Sequence, residues 1–228
     1  MEIALSENNA RPSMVSLSMA DAWRRVLQKR THLAEGILTI VLFCIVVKLA
    51  SLLALYVERR HGAILADPLQ RMFYPRNVTW IAFALLWTSV FGAIAGIIHV
   101  PKRFFMGFQA AGLVLLFRML AMYLNPVDPP RAIIPMADPI IESLGTGQLV
   151  TRDLFFSGHT STMVVLYFAT VRKWLKWYLL FATAAVGVCM VTQHVHYSID
   201  VYAAPFFAYA SWRIVVVLHE RFEARESA

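Results

Sequence analysis

Two short runs carry residue types that can do phosphorus chemistry. Ser157-Gly158-His159-Thr160 sets a histidine at the start of an apolar stretch, and His196-Tyr197-Ser198-Ile199-Asp200 sets a histidine four residues before an aspartate. On a helix, side chains at i and i+4 meet. The carboxylate then accepts a hydrogen bond from one imidazole nitrogen, fixes the tautomer and leaves the other nitrogen free to attack phosphorus. A second histidine, His159, can protonate the departing alkoxide. Gly158 lets the backbone come close, and Ser157 can cap a helix whose positive end faces a phosphate. Either run alone is a weak motif. Both at matching depth in a membrane chain point to an enzyme acting on lipid phosphates, because ionisable groups near the membrane are costly.

The elements that must position these residues are membrane helices. Hydrophobic residues make up 59% of the chain and charged residues only 15%, with mean hydropathy +0.59; soluble domains carry about 25% charged residues. Six apolar segments approach the roughly 20 residues needed to cross a bilayer: Gly36–Tyr56, Val78–Val100, Phe104–Leu124, Leu154–Val171, Trp177–Val195 and Ile199–Leu218. The runs are continuous rather than alternating, which favours helices in lipid. The expected fold is all-α, a polytopic bundle of six transmembrane helices. Residues 1–35 form a cytoplasmic arm, 36–218 a catalytic membrane domain and 219–228 a cytoplasmic tail. Cys44 and Cys189 both fall within spans and serve apolar packing.

Charge placement sets the expected orientation. The net charge is +7, and its distribution does not read as nucleic-acid binding. The arm, the second–third and fourth–fifth loops and the tail hold 12 basic residues, against six on the other side: Arg59, Arg60, Arg71, Arg76, Arg131 and Arg152. Both termini are therefore expected in the cytoplasm and the active site on the outer or luminal side. His159 and His196 are separated by two predicted crossings, so they share a side in either orientation. Before the first span, Val15, Met19, Trp23, Val26 and Leu27 follow helical spacing among arginines and lysines. That pattern fits an interfacial helix or a lead-in to the first span. No cleavable signal peptide is read there.

Further candidates surround the two runs. Arg118, in the outer half of the third span, can hold a phosphate with two parallel hydrogen bonds. Arg152 is a second clamp candidate, and Asp153 either orients His159 or meets the head group. Tyr197 and His194 are placed with the substrate-binding residues; Tyr197, with Tyr123 and Trp80, also fits an interfacial aromatic belt. His194, His159, His196 and Asp200 have ligand types found in zinc sites. The phosphohistidine reading uses the same residues without metal, so no metal and no cofactor is expected. His32, His61, His99 and His219 read as interfacial or loop residues, and Gly92 with Gly96 as a packing surface. Lys48 lies deep in the first span with no partner to name.

At these residues the chain resembles the sphingomyelin synthases and related sphingolipid synthases. Arg152-Asp153-Leu154-Phe155-Phe156-Ser157-Gly158-His159-Thr160 is similar to their third signature, Cys-Gly-Asp-Tyr-Leu-Phe-Ser-Gly-His-Thr. His194-Val195-His196-Tyr197-Ser198-Ile199-Asp200-Val201 is similar to the fourth, and Arg118 to Pro129 resembles the second, an arginine followed by a Pro-Val-Pro-like turn. Ala66-Asp67-Pro68-Leu69 is a faint first signature. The resemblance implies a six-span fold within the type 2 phosphatidic acid phosphatase superfamily. It also implies His196 as nucleophile, Asp200 as its partner and His159 as acid. The superfamily's lysine-arginine-proline motif is not found, and Cys189-Met190 stands where its serine-arginine would fall, which favours the synthase branch. Thr151 and Arg152 replace the cysteine and glycine of the third signature, a departure that bears on head group and acceptor.

The expected activity is transfer of a phospho-head group from a phospholipid to a lipid hydroxyl such as ceramide, through a phosphohistidine, with diacylglycerol released. The rival uses water as acceptor, making a lipid phosphatase or phospholipase C-like hydrolase. A non-catalytic transporter or scaffold is the third reading; against it, the three key residues gather at one mouth instead of lining a path across the bilayer. The expected partners are membrane lipids and no nucleic acid; a homo-oligomer stays open.

Overall fold

The structure is a computed structural model that describes residues 18–137 and 147–226. The expectations for Arg11 and Val15, for part of the predicted outer loop and for the end of the tail fall outside those residues.

Helix α1, Met19–Gln28, starts where the Ser18 side chain accepts a hydrogen bond from Asp21 N. Its Trp23 indole donates to Ile98 O at 2.8 Å and meets the Phe104 and Phe105 rings edge-on. Extended Lys29 separates it from α2, Arg30–Val57. The other helices are α3 (Thr79–Ile97), α4 (Pro101–Leu124), α5 (Gly158–Ala169), α6 (Lys173–Thr192) and α7 (Ser198–Glu226). Pro101 occupies the first turn of α4, where a missing N–H costs nothing. Pro205 lies inside α7, and its ring leaves the carbonyl one turn earlier without its helical donor. Among the described residues there is no strand, only a single parallel bridge between Ala63 and Val127.

Among the described residues five helices are long and apolar enough to cross a membrane: α2, α3, α4, α6 and α7. Large apolar side chains are left exposed along them, among them Ile37, Leu42, Ile45 and Leu52 of α2 and Phe181 and Val188 of α6. Such broad apolar surface belongs in lipid, and the chain has the build of an integral membrane protein. Lys48 lies exposed on α2 among these residues.

The fourth predicted segment, Leu154–Val171, takes a different form. Only Gly158–Ala169 is helical, 12 residues, or about 18 Å by helical rise. Its N-terminal side cannot wind further because Phe155 and Phe156 have φ of 71° and 36°. Helix α5 is enclosed by α3, α4, α6 and α7, so its backbone ends meet protein and need not span lipid. It runs alongside α4: Gly158 lies against Arg118, while Ala169 at the far end lies against Gly107.

The core follows from this enclosure. Phe156, Met163, Ala169, Leu179, Val186 and Met190 have no exposed surface. At the end away from Gly158, Gln109 of α4 donates to Glu35 and Thr39 of α2, and His219 of α7 hydrogen-bonds Gln109. At the other end the loops converge. Gly62 lies so close to Pro126 that a Cβ there would come within 2.4 Å of its backbone. That approach lets Ala63 N donate to Pro126 O and Asp128 N to Ala63 O, tying the α2–α3 loop to the loop after α4.

Candidate active site

The two histidine runs meet at the ends of α5 and α7. Ser157 is the N-cap of α5, its hydroxyl oxygen accepting from Thr160 N, and Ser157 N donates to Asp200 O at 2.9 Å. That one backbone bond joins the start of α5, with His159 in its first turn, to the first turn of α7. Just before α7, His196 Nδ1 lies 3.3 Å from Asp200 Oδ2 in its first turn, and Tyr197 N donates to the same oxygen. His196 and Asp200 are each 2% exposed, whereas His159 is half-buried. Asp200 therefore orients the imidazole through Nδ1, with Nε2 on the other side of the ring.

Each run is preceded by left-handed backbone. Phe155 and Phe156 come before Ser157, and His194, with φ 58°, comes before His196. Non-glycine residues hold this region only where surroundings fix it, at a cost of about 1–3 kcal/mol each. Phe156 stacks on Phe207 of α7 with ring centroids 4.4 Å apart. The His194 turn is fixed by its neighbour Gln193, fully buried, whose amide donates to Thr79 Oγ1 and Ile134 O and accepts from Val78 N. The His194 ring packs edge-on against Phe73. Burial holds its imidazole below the ordinary histidine range, the Asp67 charge acting in the opposite sense.

Arg118 reaches the same place. Its guanidinium donates to Phe156 O, to Asp153 O and to the Asp153 carboxylate, the last at 2.8 Å. It presses on Gly158, where a Cβ would meet Nη1 at 2.8 Å. Asp153 is thus the partner of Arg118. Arg152 turns away: it donates to Asp128 Oδ1 at 2.7 Å and to Glu58 O. The Arg152 hydrogen bond holds the Asp128 carboxyl below the usual carboxylate range. Tyr197 is 1% exposed, so it stands in no aromatic belt. Its hydroxyl donates to Asp128 O and accepts from Leu65 N, and burial pushes its phenol up.

Several supporting residues lie outside the two histidine runs. Glu58, just past α2, accepts from Thr151 N, Thr151 Oγ1 and Arg152 N, fixing the approach to Asp153. Gln70 Nε2 donates to His196 O at 2.9 Å. Asp67, in the faint first signature, accepts from Ser198 N and Oγ and from Leu69 N and Gln70 N, and so caps α7. Burial would raise the Asp67 carboxyl, but these bonds outweigh it and hold the group below its ordinary value. Among the described residues no set of three metal-ligating side chains is grouped to hold a metal ion.

A bundle of apolar helices with a His-His-Asp group at one end has the makings of phosphate-ester chemistry within a membrane. Residues 152–217 match the family model described as PAP2 superfamily C-terminal. That match supports the type 2 phosphatidic acid phosphatase superfamily and chemistry of the lipid phosphatase or phosphotransferase type. His159, His196 and Asp200 lie in the matched segment; Arg118, Asp67, Gln70 and Glu58 lie outside it. No curated protein matches the chain.

Proposed function

We propose that the chain is a membrane lipid phosphotransferase that moves a phospho-head group from a phospholipid to a lipid hydroxyl such as that of ceramide. The observation that carries the reading is the Ser157 N–Asp200 O bond, which ties the start of α5, where His159 lies, to the Asp200 that orients His196. The Nε2 lone pair of His196 attacks phosphorus. The bond from phosphorus to the glycerol oxygen breaks, its electron pair leaves on that oxygen, and His159 donates the proton that makes diacylglycerol. Asp200 stabilises the positive imidazole while the N–P bond lasts. The acceptor hydroxyl then attacks phosphorus, His159 takes its proton, and the N–P bond returns its electrons to His196. Arg118 carries the phosphoryl oxygens, with Asp153 setting its fork. Arg152 and Tyr197 act through the loops they fix.

Burial of His196 and Asp200 favours a lipid acceptor over bulk water, since exclusion of water suppresses hydrolysis of a reactive intermediate. Water as acceptor is the second reading, favoured by the match to a superfamily named for a phosphatase. The surplus of basic residues on the arm, even-numbered loops and tail supports cytoplasmic termini and an outer or luminal site.

The test is purified protein with head-group-labelled phospholipid, with and without ceramide. Label on ceramide, together with acid-labile label on the wild-type protein that His196→Ala lacks, is the expected result. Free head-group phosphate with no transfer supports hydrolysis. Full turnover by His196→Ala would sink the mechanism.

A further inference from the structure

Beside the nucleophile a cavity of about 410 Å³ opens between residues 64–71, residues 130–132 and the turn that carries His194 and Tyr197. It adjoins the reacting centre through two links: Tyr197 is the residue after His196, and Gln70, in the wall, holds the His196 carbonyl. Of its polar groups, several are already committed. The Asp67 carboxylate accepts four hydrogen bonds, the Gln70 amide is spent on His196 O, and the Tyr197 hydroxyl is bonded on both sides. Three groups are not. The side chains of Arg71 and Arg131 are exposed and make no hydrogen bond or ion pair with any described residue. His194 is 5% exposed, and its Nε2 is buried without a hydrogen-bond partner.

Among the described residues the wall thus offers two guanidinium forks and a buried imidazole nitrogen, with no uncommitted carboxylate. Guanidinium groups match phosphate and carboxylate oxygens, and an unpaired buried donor is costly until a ligand meets it. We propose that this cavity binds an anionic group of the donor's head group, a phosphate or carboxylate beyond the phosphodiester, through Arg71, Arg131 and His194. The assignment to a donor lipid rests on the phosphotransfer reading above. It sets the substrate class: head groups ending in negative charge are taken in preference to those ending in a quaternary ammonium, which finds no free carboxylate among the described residues.

The experiment measures binding of the detergent-solubilised full chain, without turnover, to three probes: dihexanoyl phosphatidylinositol 4-phosphate, dihexanoyl phosphatidylcholine and inorganic phosphate. The wild type binds the first at least about tenfold more tightly than the second, the scale of one charge-assisted hydrogen bond. Arg71→Gln/Arg131→Gln brings the two within about twofold by weakening only the anionic lipid, and the Arg71→Lys/Arg131→Lys pair keeps part of the preference. Both positions are exposed, so an unchanged thermal midpoint is the folding control. A preference for phosphatidylcholine, or one that survives the double glutamine variant, overturns the proposal. Arginine-dependent binding of inorganic phosphate with no lipid preference makes the cavity a free-phosphate site and overturns the head-group assignment. A protein that turns over no lipid yet keeps the arginine-dependent preference refutes phosphotransfer alone.

Discussion

Gly158→Ala tests whether Arg118 and the start of α5 form one unit. The added Cβ would lie 2.8 Å from Arg118 Nη1 and 3.1 Å from Cζ. Ordinary contact begins near 3.5 Å, so the guanidinium must retreat by about 0.7 Å. Three hydrogen bonds oppose that retreat. The one to Phe156 O is already 3.3 Å long and would pass out of range, while the 2.8 Å bond to Asp153 would stretch. Folding changes little: alanine is the better helix residue by about 0.5–1 kcal/mol, and a weakened hydrogen bond loses about 1 kcal/mol. Catalysis is less forgiving, since misplacement by about 1 Å can cost roughly 100-fold. The expected outcome is a thermal midpoint within a few degrees of wild type and kcat for diacylglycerol release lowered about 10- to 100-fold. The assay is initial-rate release from a fluorescent phospholipid in mixed micelles. Activity within twofold of wild type, in a folded protein, would refute the claim that the Arg118 guanidinium sits at the reacting phosphate.

Two further substitutions address the supporting residues. Asp67→Asn removes the charged acceptor that caps α7 and is expected to cost about 2–3 kcal/mol near neutral pH. Because the folded carboxyl titrates below its ordinary value of 3.8, its contribution is present above about pH 4 and is lost as pH falls through the folded pKa. Thermal midpoints of the two proteins should therefore converge on acidification, and a gap that stays constant would exclude the charge as cause. Glu58→Gln weakens the hold on Thr151 and Arg152 and loosens Asp153. The expected result is a fall of about tenfold in kcat/KM, read from substrate titrations; unchanged kinetics would show that this loop does not position Arg118.

How far the sequence reveals this arrangement depends on whether a residue's role is local. Continuous apolar runs mark α2, α3, α4, α6 and α7, since a lipid-facing helix needs little beyond its own composition. The His196–Asp200 spacing and the Ser157 cap are local too. The shortness of α5 is not. It depends on two left-handed phenylalanines, and what secures Phe156 is stacking on Phe207, in another helix. Asp67 and Gln70 bond partners 131 and 126 residues away, so a faint signature marks Asp67 without its role and nothing local marks Gln70. Arg152 reads as a phosphate clamp beside Asp153, yet its partners, Asp128 and Glu58, come from two other loops. Tyr197 looks like a belt residue by type, and only the convergence of the 65 and 128 loops on its hydroxyl buries it.

The late start of α5 sets the depth of the chemistry. Gly158 is level with Arg118, six residues before the end of α4 at Leu124, or about 9 Å inward along that helix. The polar margin of a bilayer is about 5–8 Å deep on each side of its hydrocarbon core. With α4 spanning the membrane, the proposed reaction would place its phosphorus near the ester linkages of its own leaflet. On the phosphotransfer proposed above, a phospholipid would reach His196 by sliding sideways with its acyl chains still among their neighbours, and an acceptor lipid would follow by the same route. Neither would have to be lifted out of the membrane, and the hydrocarbon solvation of both tails would be kept throughout that cycle.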